Sequence, residues 1–219
     1  MVASSAKPAQ QSDPKFGNKP AIPPLENGDR LSRAEFERRY EAMPHLKKAE
    51  LIEGVVYMAA ATRAQQHGNP HALVIGWLAT YHAMTPGTYL ADNTTVLLDG
   101  DNEPQPDALL RWEDGSSRIT GNDYIEGPPE LVVEIAASSV SYDKNDKLKA
   151  YRRNGVQEYV IWQIYEDEIV WYQLVDGQYV ALVPNEAGLL ESQIFPGLKL
   201  DVEAMKNRDL ATVLAQLKR

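Results

Sequence analysis

The chain has 219 residues, of which 43% are hydrophobic and 24% are charged, which is close to the average composition of globular domains. It contains no cysteine, and this excludes a disulfide framework, a zinc–thiolate cluster and a thiol nucleophile. The formal net charge of −9 argues against nucleic-acid affinity by overall charge, so a phosphate-binding surface would be local or would depend on bound cations. No apolar run reaches the roughly 20 residues of a membrane helix and the N-terminus lacks a secretory pattern, so we expect a cytoplasmic protein.

The N-terminal segment, residues 1–24, is rich in Pro, Ser, Gln and Lys and has almost no large apolar residues. Such a segment buries too little surface to offset the entropy of ordering it, which predicts a disordered tail. A tether or a partner-binding segment is the alternative. We expect residues 25–219 to form a single α+β or α/β domain.

Two helices are predicted in the first half of the chain. The first runs from Ser32 to about Met43, with Ser32 as N-cap and Glu35 completing a capping box. The second spans roughly residues 70–84, because apolar side chains recur there at helical spacing. The residues at fourfold spacing are Leu73, Trp77 and Tyr81.

Several apolar stretches have the length of strands. Two of them, ELIEGVVYMAA at 50–60 and TYLADNTTVLLD at 88–99, lie on either side of the second helix. QPDALLRW at 105–112 and PELVVEIAA at 129–137 follow, joined by a loop rich in glycine. A further helix is predicted over 141–155, begun by Ser141 and ended by Asn154-Gly155.

The C-terminal part has the pattern of β-hairpins. Strands are predicted at 158–164, 168–174 and 178–183, with a hairpin turn at Asp176-Gly177. An amphipathic helix is predicted from about Val202. Its apolar stripe comprises Leu210, Val213, Leu214 and Leu217. The aromatic residues of the hairpins either cover a homodimer surface or pack as ordinary core and edge residues: Trp162, Trp171, Tyr172 and Tyr179.

Glu134 is the first candidate site residue. Alternation along its strand puts Val132 and Ala136 on the face of Glu134, with apolar residues on the other face as well. Apolar residues on both faces indicate a buried central strand. An unpaired carboxylate would cost several kcal/mol there, so Glu134 requires a cation or a strong hydrogen-bond partner. The alternatives are a buried salt bridge and a metal site.

Asp107 begins the preceding strand and is the second candidate. A Pro-Asp pair alone is a common turn signature. Here, however, it leads directly into an apolar strand, and the next strand carries Glu134. Two adjacent strands can bring both carboxylates to one edge of the sheet, and oxygen ligands with open positions suit Mg²⁺ or Mn²⁺.

The helix after Glu134 supplies a candidate cation. Asp143, Lys147 and Tyr151 follow one another at intervals of four, so they share one stripe of the helix. An ammonium beside the sheet edge could hold an attacking water or offset developing negative charge. Lys144 lies on the same side by a count of about 100° per residue, whereas Lys149 points away. Helical geometry does not distinguish Lys144 from Lys147.

A series of short motifs follows the order and spacing of a large bacterial family. The motifs are Pro106-Asp107, VVE ending at Glu134, D-xxx-K-xxx-Y-xxx-GV from Asp143 to Val156, and EY at Glu158-Tyr159. Together they resemble the Uma-type group of restriction-endonuclease-like proteins in the PD-(D/E)XK superfamily. AELIEG at 49–54 is similar to the family's entry strand, and His67 falls where members often carry a histidine. The resemblance covers roughly residues 30–200.

The resemblance implies a fold and a site. The implied fold is a restriction endonuclease-like core, with a mixed central sheet flanked by helices and with C-terminal hairpins and a C-terminal helix added. The implied metal ligands are Asp107 and Glu134, with Glu50 as an upstream acid and Lys147, rather than Lys144, as the lysine. Three further residues have weaker support as members of the site: His67, Asp143 and Tyr151.

The chain departs from the superfamily pattern at three places. Ala136 stands where the usual pattern has its lysine, two residues after the second acid, and the resemblance implies that the role of this lysine has moved to the helix. Ala137-Ser138 replaces a common Ser-Pro, and Gln163 stands where many members have Asp. These departures bear on the loop and on the surroundings of the site and leave both central carboxylates in place.

Three further charged or titratable features each allow two interpretations. Glu50 and Glu53 would point to opposite faces of one strand, so at most one of them joins Asp107. His67 is either a proton carrier beside the site or a hydrogen-bonding residue at a helix start. Residues 141–153 carry a local charge of +3, from five basic and two acidic residues, which either contacts phosphate or forms paired surface charges.

Two functions of different classes follow from these observations. The first is a Mg²⁺- or Mn²⁺-dependent endonuclease that hydrolyses DNA phosphodiester bonds. The second is a catalytically silent nuclease-fold module that binds nucleic acid or a protein partner, because a fold does not fix a function. A small-molecule hydrolase is a weaker third possibility, since the sequence contains no nucleophile elbow or phosphate loop.

Overall fold

The structure, a computed structural model, describes residues 22–58, 63–137 and 143–217, without the side chains of residues 143 and 144. The strands are β1 Ala49–Ile52, β2 Val55–Met58, β3 Thr88–Ala91, β4 Val96–Leu97, β5 Ala108–Trp112, β6 Arg118–Ile119, β7 Ile125–Glu126, β8 Leu131–Ala136, β9 Glu158–Gln163, β10 Glu168–Val175, β11 Gln178–Ala181, β12 Leu190–Glu191 and β13 Lys199–Leu200. The helices are α1 Arg33–Glu41, α2 Asn69–Met84, α3 Leu148–Asn154, α4 Val202–Lys206 and α5 Leu210–Ala215, and π-helical segments occupy Ala64–Gly68 and Asp143–Lys147. The segment predicted as a disordered tail lies almost wholly outside the described residues.

A mixed six-stranded sheet organises the fold, with the strand order β11-β10-β9-β8-β5-β3. Only the β8–β9 pair in this sheet is parallel, and its other pairs are antiparallel. Every residue of β8 and β9 is buried, so these two strands form the centre of the sheet. The α+β class and the mixed central sheet flanked by helices are therefore confirmed.

The central strand β8 separates two apolar clusters. Leu131, Val133 and Ile135 belong to the cluster that α2 and the C-terminal helices cover. Val132 and Ala136 belong to the opposite cluster, which includes Tyr151 of α3. The alternation predicted around Glu134 is present, and it turns the Glu134 side chain toward the α3 side of the sheet.

The β1–β2 hairpin contradicts one expectation about its two glutamates. Glu53 and Gly54 form the turn between the strands, with φ of 52° and 72°. Both central residues of a two-residue hairpin turn of this kind require positive φ, and glycine adopts it without steric cost. Glu53 therefore does not lie in one strand with Glu50, and the expected arrangement on opposite faces was wrong because the chain reverses there.

Two helix predictions also need correction. Ser32 occupies the N-cap position of α1, but its side chain makes no capping hydrogen bond, and Glu35 instead accepts from Arg38 and Arg39 at 2.7 and 2.6 Å. The single C-terminal helix is two short helices. Arg208 adopts φ of 62° between them, and Asp209 caps the second by accepting from the Thr212 N–H at 3.1 Å.

The loop predicted between β5 and β8 contains structure that the sequence did not reveal. Its strands β6 and β7 form a small three-stranded sheet with β4, in which β7 is the middle strand. Among the described residues, no helix combines the length and the apolar character needed to cross a membrane.

Candidate functional site

Asp107 and Glu134 lie opposite each other on neighbouring strands. Asp107 immediately precedes β5, and the antiparallel register pairs Ala108 with Val133. One further step along this register brings Asp107 opposite Glu134, and directly opposed residues of an antiparallel pair have side chains on the same face. Both side chains are buried, with 3% of each residue exposed.

Glu134 is held by two donors from the helical segment that follows it. The Lys147 Nζ and the Tyr151 hydroxyl each lie 2.8 Å from Glu134 Oε1. Burial, and then the negative charge of Glu134, raise the pKa of Tyr151 well above its ordinary value, so its hydroxyl remains protonated and donates. The buried carboxylate thus has the cation and the hydrogen bond that the strand position requires.

Glu50 reaches the same ammonium from the β1–β2 hairpin. Its Oε1 lies 2.9 Å from Lys147 Nζ and accepts a hydrogen bond from the Gln105 N–H at 2.7 Å. Lys147 therefore joins two buried carboxylates from different parts of the chain. Glu53, the alternative to Glu50, instead pairs with Lys149 at 2.7 Å and takes no part in this cluster.

The two carboxylate oxygens of Asp107 face different surroundings. Oδ2 accepts a hydrogen bond from the Ile135 N–H at 2.8 Å. Oδ1 lies 3.2 Å from His67 Nε2 and 3.6 Å from Lys48 Nζ. Burial alone would raise the pKa of Asp107, but the hydrogen bond to His67 and the charges of Lys48, His67 and Lys147 outweigh burial and hold it well below its ordinary value. Asp107 is therefore a carboxylate at neutral pH.

Two histidines line the solvent side of Asp107. His67 comes from the π-helical segment that precedes α2, and His71 lies one turn later in α2. His71 Nε2 lies 2.8 Å from the Asp107 carbonyl oxygen, which can only accept, so this nitrogen carries the proton. The two rings stack with centroids 5.8 Å apart.

The sequence predictions did not include Lys48 or His71. His71 follows His67 at an interval of four, and this helical spacing is the signal that could have indicated it. Lys48 lies in the loop before β1, and nothing in the sequence connects it with Asp107. The side chains of Asp143 and Lys144 lie outside the described residues.

The described basic side chains of the segment 141–153 do not form a row of free phosphate-binding groups. Besides Lys149, Glu53 binds Arg153 at 2.8 Å, and Arg153 also contacts Asp99 at 2.9 Å. Arg152 donates to Gln178. Three of the basic residues that gave residues 141–153 their positive charge are thus bound by neighbours within the fold, as the surface-pair interpretation predicts.

The donor chemistry of the site fits a hard divalent cation. Asp107 and Glu134 provide opposed carboxylates, and the ammonium of Lys147 on Glu134 and Glu50 shows that these buried oxygens bind positive charge. Across the described ranges, no group of three or more acidic or histidine side chains converges closely enough to hold a metal ion. A bound Mg²⁺ or Mn²⁺ would therefore rely on one or two carboxylates, with water and phosphate oxygens completing its shell.

A comparison with family models shows the family to which this chain belongs. The model of the Uma2 family, described as "putative restriction endonuclease", matches residues 33–203, well over half of the sequence. The chain belongs to the Uma2 family. The matched range includes β1, β5, β8 and α3, the elements that carry the described site, and membership supports a nuclease function.

A solved structure gives an independent view of this Uma2 fold. A "putative nuclease belonging to DUF820" from Anabaena variabilis superposes with a TM-score of 0.60 at 14% identity, covering 78% of this chain and 97% of that one. At this identity the similarity concerns the fold alone. Among curated proteins, none matches this chain.

Proposed function

We propose that this Uma2 protein is a Mg²⁺- or Mn²⁺-dependent endonuclease that hydrolyses phosphodiester bonds in DNA. The observation that carries the proposal is the pair of buried carboxylates, Asp107 and Glu134, opposed on adjacent strands with a lysine bonded to one of them. The description of the Uma2 family and the nuclease-like fold both support this reaction class.

In this proposal, Asp107 and Glu134 hold the divalent cation. Such a cation polarises a phosphoryl oxygen and lowers the pKa of a bound water, which is the chemistry that phosphodiester hydrolysis needs. Lys147 sets the position of Glu134 and offsets its charge, since its ammonium is within hydrogen-bond distance of that carboxylate and of Glu50. Tyr151 fixes Glu134 from the same helix.

The direct test measures cleavage of plasmid and of single-stranded DNA in the presence of Mg²⁺ or Mn²⁺. We expect Asp107→Asn and Glu134→Gln to lose at least about 100-fold in rate, because each substitution removes a charged ligand and keeps the side-chain shape. Asp114→Asn, at an exposed loop position, is the matched control and is expected to cleave like the wild type. Equal activity in all four proteins would contradict the assignment of the site.

A second candidate function is a nuclease-fold module that binds nucleic acid or protein without cleaving. The position of Lys147 favours it, because the ammonium already satisfies both Glu50 and Glu134. Titration calorimetry with Mn²⁺ separates the two candidates. Binding at millimolar or lower concentration that is lost in Asp107→Asn supports the endonuclease, and absence of binding by the wild type supports the silent module.

A further inference from the structure

Two lysines approach the carboxylates, and they differ in access to solvent. The Lys147 side chain is 3% exposed and lies between Glu50 and Glu134, at 2.9 and 2.8 Å. The Lys48 side chain is 24% exposed and approaches Asp107 from the solvent side. A substrate arriving from solvent therefore meets Lys48 before it can meet Lys147.

The contacts of Lys48 leave its charge available for an anion. Its ammonium lies 3.6 Å from Asp107 Oδ1, beyond the usual range of a charged hydrogen bond. Its closer contact is the neutral amide oxygen of Asn93, at 3.1 Å. An ammonium has three donors, so these contacts are compatible with a further acceptor.

Other groups beside Lys48 can also meet a phosphodiester. His67 and His71 place two imidazoles on the same side of Asp107, with side chains 28% and 19% exposed. The opposing charge at this rim is Asp92, whose carboxylate lies 3.9 Å from His71 Nε2 and is 58% exposed. An exposed carboxylate is well screened by water, so Asp92 offsets the attraction of Lys48 for an anion only weakly.

We propose that Lys48, not Lys147, is the lysine that contacts the scissile phosphate. The proposal rests on the proposed function, since it takes a DNA phosphodiester as the ligand. Lys48 acts as a point charge on the phosphate oxygens, a role that suits the compact ammonium of lysine. Lys147 remains a positioning residue, because its contacts are with the carboxylates.

The test compares Lys48→Met with Lys47→Met and Lys48→Arg. Lys47 is the exposed neighbour, so its substitution changes the net charge equally and removes a side chain outside the site. Binding of a short fluorescein-labelled DNA duplex is measured by anisotropy in EDTA over a range of salt concentrations. We expect Lys48→Met to raise Kd about 10-fold and to reduce the salt slope by about 1, because one phosphate contact is lost. Lys47→Met is expected to match the wild type in slope, and Lys48→Arg to retain most of the affinity.

Cleavage with Mn²⁺ provides the second measurement. Lys48→Met is expected to lower kcat/KM by about 10-fold or more, with Lys47→Met near the wild type. If the wild type cleaves DNA and Lys48→Met is indistinguishable from Lys47→Met in Kd, salt slope and kcat/KM, the Lys48 contact is wrong and the endonuclease stands. If DNA binding depends on Lys48 but the wild type does not cleave, the phosphate contact stands and the hydrolysis is wrong. A wild type that neither binds nor cleaves DNA overturns both.

Discussion

The inner and outer halves of the site differ in how completely their charges are bound. On the inner side, Glu50, Glu134 and Lys147 are buried, and both carboxylates lie within hydrogen-bond distance of the Lys147 ammonium. On the outer side, Lys48 and His67 are partly exposed and approach Asp107 at longer distances. Burial holds the inner charges in one geometry, whereas the outer ones keep contact with solvent, as the proposed phosphate contact requires. Substitutions should therefore affect stability on the inner side and binding on the outer side.

The largest effect on stability is expected from Lys147→Met. It removes the ammonium that joins the buried carboxylates of Glu50 and Glu134, which should cost about 3–5 kcal/mol in the free energy of unfolding. Urea denaturation near neutral pH measures it. The loss should shrink toward about pH 5, because an uncompensated buried carboxyl takes up a proton.

Two controls make the Lys147 result specific. Lys149→Met, on the same helix but with a side chain 59% exposed, should cost no more than about 1 kcal/mol. Millimolar Mn²⁺ should restore part of the stability of Lys147→Met, since an ion bound only by the folded protein stabilises it. Absence of any such recovery would count against a cation site at these carboxylates.

A buried acid outside the site offers a contrast with the paired Glu134. Burial, and then the negative charge of Glu37, raise the pKa of Glu103 from 4.5 to about 8, against the opposing charge of Arg33, and a hydrogen bond with Glu37 adds to the rise. Within the described part of the chain, Glu103 Oε2 has no hydrogen-bond partner. Between these two pKa values the folded protein keeps a proton that the unfolded chain loses. Stability contributed by this group is therefore present below about pH 4.5 and is lost as pH rises toward about 8.

The substitution Glu103→Gln should flatten this pH dependence. The amide is neutral at every pH, so the decline, on the order of a few kcal/mol across the window, should be reduced. Urea midpoints at several pH values between about 5 and 9 measure it, with the exposed Asp114→Asn as the control. If stability depended on pH as steeply in Glu103→Gln as in the wild type, another group would be the one that keeps the proton.

A smaller effect is expected from Tyr151→Phe. The hydroxyl donates to Glu134 inside the core, and a buried hydrogen bond to a charged group contributes about 2 kcal/mol. Thermal or urea unfolding measures the loss. Tyr172→Phe, at a half-buried position whose ring contacts Tyr159, should change stability by less than about 1 kcal/mol. Equal losses in the two variants would show that Glu134 does not depend on the Tyr151 hydroxyl.

The smallest effect on stability should come from the outer half. Lys48→Met and His67→Gln remove partly exposed groups, so each is expected to change the free energy of unfolding by less than about 1 kcal/mol. Urea denaturation under the conditions used for Lys147→Met tests this. A loss as large as that of Lys147→Met would break the distinction between the two halves.

Sequence reasoning identified the carboxylates and the lysine that the structure brings together, but it did not identify Lys48 and His71 beside Asp107. Glu134 was identified because a carboxylate in a strand that is apolar on both faces requires a partner, and Asp107 because its strand comes next to that one. Both inferences depend on local periodicity, which the sequence displays directly. The orientation of Glu53 was predicted wrongly, because the alternation of side chains along a strand was applied to it. Glu53 lies in the turn between β1 and β2.

The remaining residues depend on contacts between distant segments. Lys48 lies 59 positions before Asp107, and the fold brings them together where β1 pairs, through Leu51 and Glu103, with the segment that precedes β5. A count of about 100° per residue puts Lys144 and Lys147 only about 60° apart on an α-helix, so the count did not separate them. Residues 143–147 are π-helical, so the count does not apply there.

The π-helical segment at Asp143–Lys147 has a consequence for how related chains are aligned. Its hydrogen bonds close one residue later than those of an α-helix, which amounts to a single inserted residue. Deleting one residue from this segment would turn its two ends by about 100° relative to each other and carry the ammonium of Lys147 away from Glu134. A relative with the uninterrupted α-helix would show a one-residue gap between the acidic strand and its lysine. A search that demands fixed spacing between the two would then overlook proteins that share the same arrangement of charges.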